Sequence, residues 1–142
     1  MRSRIYFFKE DIKFNLPNVS RIKSWIKQVA LAEKQSVGEL NYVFCSDAFL
    51  LRINIEYLGH HTLTDVITFD TANDSGDIAG EIYISIDRIR ENSIKYKVPF
   101  YDELHRVMVH GLLHLLGYSD KLPHEKKRMR KKEFAYLSLR DF

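Results

Sequence analysis

His110 and His114 stand four residues apart in an otherwise apolar run, Val107-Met108-Val109-His110-Gly111-Leu112-Leu113-His114-Leu115-Leu116. On a helix that spacing puts both imidazoles on one face, about one turn apart along the axis, so both can point at one metal ion. Imidazoles buried among leucines and valines need partners, because unpaired polar groups in an apolar site cost free energy. A metal ion supplies both partners at once. Gly117 then offers a helix stop, and Asp120 follows where the chain can turn back toward the same ion. Two nitrogens, one carboxylate oxygen and an open fourth position form the ligand count of a catalytic zinc site. Asp120 is the preferred third ligand, although the same residue could serve only as a turn or a helix cap. His124 is its competitor, standing beyond Pro123 at the start of the next helix.

What the site does depends on the residue after the first histidine. A zinc peptidase of the H-E-x-x-H type carries a glutamate there as general base. Here the position is Gly111. Peptide hydrolysis in that manner loses its proton acceptor. A bound metal still lowers the pKa of its water and polarises a phosphoryl oxygen, which suits a phosphodiester.

The elements that must position these residues follow from periodicity. Ser3–Phe8, Glu39–Ser46, Val66–Phe69 and Gly80–Ser85 read as strands. Val19, Ile22, Trp25-Ile26 and Val29-Ala30 recur at helical spacing. Ser46-Asp47 caps a helix with the stripe Leu50, Ile53, Tyr57 and Leu58, and Ser85 caps one with Ile86, Ile89 and Ile94 facing inward. Pro99 starts the helix that carries the histidines, with Asp102 and Glu103 in its first turn, and Leu104, Val107-Met108, Leu112 and Leu115 form its core stripe. A last helix runs from about Pro123 to Leu139. Strands and helices are mixed without strict alternation, so the expected class is α+β, with a small mixed sheet packed against helices and the metal site on a central helix.

At 142 residues the chain reads as a single domain, 1–142. No apolar run approaches the roughly 18–20 residues of a membrane span. The charged N-terminal stretch Met1–Lys9 has only four apolar residues in a row before Lys9-Glu10-Asp11, too few for a signal peptide. A lone cysteine, Cys45, excludes an internal disulfide and suits a reducing cytoplasm; its strand-like setting marks a buried, inert thiol. The net charge of +3 is concentrated late: from Asp120 onward there are eight Lys/Arg and four Asp/Glu, densest in Lys126–Lys132. Such a cluster is either a solvated helix face or a place to meet phosphates.

The stretch His110-Gly-Leu-Leu-His114-Leu-Leu-Gly-Tyr-Ser-Asp120 resembles the H-G-x-L-H-L-x-G-Y-x-H signature of the YbeY family of bacterial rRNA-maturation endoribonucleases. Thr64-Asp65-Val66-Ile67-Thr68-Phe69 resembles the family's T-D-V-L-S-F segment, with Asn54 and Tyr57 ahead of it, and Gly80–Ser85 stands where the family has G-D-I-x-I-S. The resemblance implies a zincin-like α+β fold, one zinc ion, and cleavage of single-stranded ribosomal RNA at the 3′ end of 16S rRNA. It also implies the small ribosomal subunit as partner and the cytoplasm as location. The family's three ligands are histidines; two carry over to His110 and His114, and the third falls on Asp120 by position only. Leu58 stands where the family has an arginine held to face the substrate, and Leu63 where it has a proline. Arg106, one turn before His110, is a candidate for the vacant arginine, or else an exposed helix residue. Asp65 is either a partner of a ligand histidine or a local backbone cap. Glu103 reads as a helix-dipole partner, and His60 and His61 as loop residues outside the ligand set.

The expectation is a zinc-dependent endoribonuclease with zinc on His110, His114 and Asp120, and a basic last helix steering the phosphate backbone. A ribosome-associated binding factor with a structural zinc, closed by His124 as fourth ligand, is the alternative. A metalloprotease is a distant third.

Overall fold

β-Branched and aromatic residues dominate four extended segments, and these segments form one sheet. The computed structural model describes residues 3–142, so Met1 and Arg2 of the N-terminal stretch lie outside the described residues. The strands are β1 (Arg4–Lys9), β2 (Val37–Cys45), β3 (Val66–Asp70) and β4 (Ile78–Ser85), in the order β1-β2-β4-β3. β1 pairs with β2, and β2 with β4, in parallel; β3 runs antiparallel along the β4 edge. Each parallel pair needs a crossover. α1 (Val19–Ala32) supplies the first; α2 (Asp47–Leu58) together with β3 supplies the second. Three further helices follow: α3 (Ile86–Tyr96), α4 (Phe100–Leu115) and α5 (Pro123–Leu137). The mixed sheet with helices on it is the expected α+β arrangement.

Alternation along the strands divides the core. Ile82 and Ile84 of β4 and Leu40, Tyr42 and Phe44 of β2 face the main core, built with α1 and α4. Cys45 and Ile67 face the other way and pack under Leu50 of α2. Burial pushes the Cys45 thiol pKa up to about 12, which fits an inert side chain. α4 is buried on most sides, with Leu104, Met108, Leu112 and Leu113 fully covered. Gly111 explains how it lies so close to the sheet. A Cβ there would come within 2.7 Å of Ile82 Cγ2.

The serine caps form as read from the sequence: Ser46 Oγ accepts from the Phe49 amide and Ser85 Oγ from the Arg88 amide, each at 3.1 Å. Two stripes differ. Ile94 is 73% exposed, and Ser93 takes the inward place after Ile86 and Ile89. At 100° per residue, position 93 returns almost over Ile86, whereas 94 is about 80° away. On α2, Tyr57 and Leu58 are exposed and Asn54 is buried, donating from Nδ2 to the Thr62 carbonyl at 2.9 Å. At the end of α2 the Tyr57 ring meets Phe69 of β3 edge-on, 5.9 Å between centroids, and Leu58 lines the cleft beside β3.

Candidate metal centre

α4 carries His110 and His114 on the face that looks past β3 into a cleft of about 370 Å³. Gly117, at φ 104°, ends the helix in a left-handed turn, with the Tyr118 amide donating to the Leu113 carbonyl at 3.0 Å. That turn brings Asp120 back over the histidines. The two Nε2 atoms are 3.0 Å apart, and Asp120 Oδ2 lies 3.2 Å from one and 3.4 Å from the other. These separations match the edge of a tetrahedron with ~2.0 Å bonds, about 3.3 Å.

The opposite ring nitrogens assign the tautomers. His114 Nδ1 faces the Tyr118 carbonyl at 3.0 Å; a carbonyl only accepts, so this nitrogen donates. His110 Nδ1 lies 2.6 Å from Glu133 Oε2, a charge-assisted contact. With both rings neutral, the two Nε2 lone pairs converge with a carboxylate oxygen on one point, an arrangement whose mutual repulsion a cation placed there relieves. The surroundings agree. Arg106 makes a two-pronged contact with Glu103, Nε to Oε1 at 2.9 Å and Nη2 to Oε2 at 2.8 Å. It reaches Glu133 Oε1 from Nη1 at 3.0 Å and Asp65 Oδ2 from Nη2 at 3.7 Å. Three carboxylates around one guanidinium leave excess negative charge beside His110. Hydrogen bonds to Glu103 hold the Arg106 pKa above its ordinary value, and burial raises that of Asp65 against the opposing pull of Arg106. The donor set fits a divalent cation: among the described residues, His110, His114 and Asp120 form the group that could hold one.

The other candidate positions resolve as follows. His124 is exposed on the first turn of α5 and is not in that group. His60 lines the cleft rim and His61 is exposed, neither within the group. Asp65 lines the cleft, but its carboxylate faces Arg106; the partner of His110 is Glu133. Arg106 is neither a free substrate arginine nor an exposed one, because its charge is committed to Glu103 and Glu133. Glu103, read as a dipole partner, is buried and pairs with that arginine. Leu63 is half-exposed in the loop before β3.

Three residues escaped sequence reasoning. Glu133 is 4% exposed, on the inward face of α5 with Met129 and Tyr136. An acid at apolar spacing (i, i+4, i+7) was the available signal. Tyr118 contributes its carbonyl, and its hydroxyl donates to Glu33 Oε1 at 2.5 Å. Glu33, just past the end of α1, also accepts from Tyr136 and from Lys132 Nζ, the latter at 2.9 Å. Burial raises the Glu33 pKa, but these hydrogen bonds outweigh it and hold the carboxyl below its ordinary value.

The chain has similar counterparts among known proteins. A protein called endoribonuclease YbeY from Amoebophilus asiaticus is 51% identical over 136 residues, covering 96% of this chain and 92% of that protein. One of the same name from Cytophaga hutchinsonii is 51% identical over 138 residues, covering 97% and 96%. A solution structure of a Thermotoga maritima protein superposes with a TM-score of 0.66 at 25% identity, over 94% of this chain and 87% of that one. The sequence model of the family described as endoribonuclease YbeY matches residues 5–140. With a match of that extent, and half of all residues shared with such relatives, the chain belongs to the YbeY family.

Proposed function

We propose that this chain is a zinc-dependent endoribonuclease that cuts single-stranded ribosomal RNA, with His110, His114 and Asp120 holding the ion. The reading rests on one observation above all: two imidazole lone pairs and a carboxylate oxygen converge at about tetrahedral-edge spacing inside an open cleft. Family membership supports the RNA substrate, and with it the 3′ end of 16S rRNA, the small ribosomal subunit and the cytoplasm as the setting. A cation at this site supplies Lewis acidity, polarising a phosphoryl oxygen and making a water more acidic.

The chain's own residues supply the rest. Glu133 and the Tyr118 carbonyl fix both histidine rings so that each Nε2 faces the cleft. Asn54, Thr64 and Thr68 line that cleft with groups that can hydrogen-bond a sugar-phosphate backbone. Lys126, Lys127, Arg128, Arg130 and Lys131 stay in solvent along α5, where they raise the local concentration of a polyanion. Gly111 argues against peptide hydrolysis: its side-chain direction is filled by Ile82, so no base fits there. A structural zinc would need a fourth protein ligand, and His124 stands outside the group.

The test is cleavage of a labelled single-stranded RNA, with chelator and with zinc restored, beside metal analysis of His110→Ala and His114→Ala. Cleavage lost with chelator, regained with zinc, and absent in both metal-free variants is expected. Full metal occupancy in both variants sinks the ligand assignment. Unchanged cleavage by the double variant sinks the enzyme reading.

A further inference from the structure

Phe134 is 78% exposed and Tyr96 58% exposed, although both lie beside the buried Glu103 and Glu133. With Val98 and Leu137 they line a groove of about 440 Å³ between α3 and α5. Its floor is Glu103, Arg106 and Glu133, the last of which holds His110 Nδ1. Groove and metal cleft thus share a wall: Arg106 faces the groove and pairs with Asp65, which lines the cleft. Along α4, Arg106 lies four residues, ~6 Å, from His110.

The charge around the groove selects its occupant. The floor carboxylates are engaged by Arg106 and His110. The free charges are basic: Arg130 lines the groove, and Lys95 Nζ sits 5.4 Å from the centre of the Tyr96 ring. Lys97 and Lys131 are exposed beside the two rings. Flat rings beside free cations complement unpaired bases strung on phosphates. A second copy of this chain would bring its own basic rim against this one, a like-charge contact. Paired bases offer no free face.

We propose that this groove binds unpaired RNA bases flanking the scissile phosphate, stacked on Phe134 and Tyr96 with Arg130 at the backbone; the proposal rests on the endoribonuclease reading above. Both rings are exposed, so their removal leaves the fold intact.

The experiment measures binding of a cleavage-resistant 2′-O-methyl oligouridylate decamer, and of the matching dimer, to the full chain. Phe134→Ala and Tyr96→Ala are each expected to weaken decamer binding by about tenfold. Phe134→Trp restores it, dimer binding does not change, and metal affinity and melting temperature stay at wild-type values. Decamer affinity within twofold of wild type in the double variant overturns the proposal. So does a dimer-to-monomer shift on Phe134→Ala in sedimentation, which assigns the groove to self-association. Wild-type protein that binds the decamer through both rings but never cuts RNA defeats the nuclease reading alone. Wild-type protein that cuts RNA, with variants of unchanged KM, defeats the groove alone.

Discussion

Replacing Glu133 by glutamine separates the bracing of His110 from the rest of the site. Glu133 accepts two hydrogen bonds at once, from His110 Nδ1 at 2.6 Å and from Arg106 Nη1 at 3.0 Å. Both partners are donors. A glutamine of the same shape presents one carbonyl and one amide nitrogen, so one of the two contacts becomes donor against donor. Whichever way the amide turns, the negative charge that favours a ligated, more basic imidazole is gone. Loss of such a partner costs about 10- to 100-fold in metal affinity, or roughly 1.4–2.7 kcal/mol. Competition between the apo-protein and a chromophoric chelator measures this directly. Glu103→Gln is the control, because it weakens the Arg106 contacts at 2.8 and 2.9 Å without touching a histidine. It should lower the melting temperature while leaving metal affinity near wild type. A folded Glu133→Gln protein that binds zinc as tightly as wild type would refute the reasoning.

Tyr118→Phe cuts the tie from Glu33 to the turn whose carbonyl holds His114 Nδ1, and should weaken metal binding by several-fold while Lys132 still pairs with Glu33; unaltered affinity by the same competition assay speaks against that clamp. Burial, with the nearby Arg140 charge, lowers the His105 pKa to about 4, below the ~6.5 of the unfolded chain. The unfolded state therefore takes the proton first, so this stability is present above pH 6.5 and is lost as pH falls toward 4, by about 3 kcal/mol. Urea melts across that range should show a flatter slope for His105→Leu; equal slopes discount the effect. Gly111→Glu, which writes a peptidase glutamate into the helix, should cost at least ~3 kcal/mol through overpacking on Ile82 and a buried charge, and should yield no peptide turnover. A wild-type melting temperature in that variant would show that the position has room.

Local patterns were enough for the helix that carries the histidines, its stop at Gly117, both serine caps and the mixed strand-helix order, because each depends on residues within about a turn of one another. The i, i+4 histidines are of that kind, and Asp120 follows six residues on, so a group that could hold a metal was visible before any fold, with His124 as the competing third ligand. Its support was not. Glu133 is 23 residues from His110, and Glu33 is 85 from Tyr118. Those contacts exist only because α5 packs beside α4 and the residue after α1 meets α5 and the turn that follows α4. Arg106 looked available for substrate until packing placed three carboxylates around it. Gly111 told the same story twice: its identity removed a catalytic base, and the close approach of α4 to Ile82 supplied the physical reason that no side chain fits. Residue types within the stretch from His110 to Asp120 set which atoms could bind a metal; long-range packing set the His110 tautomer, the charge balance around it and the wall the site shares with the groove.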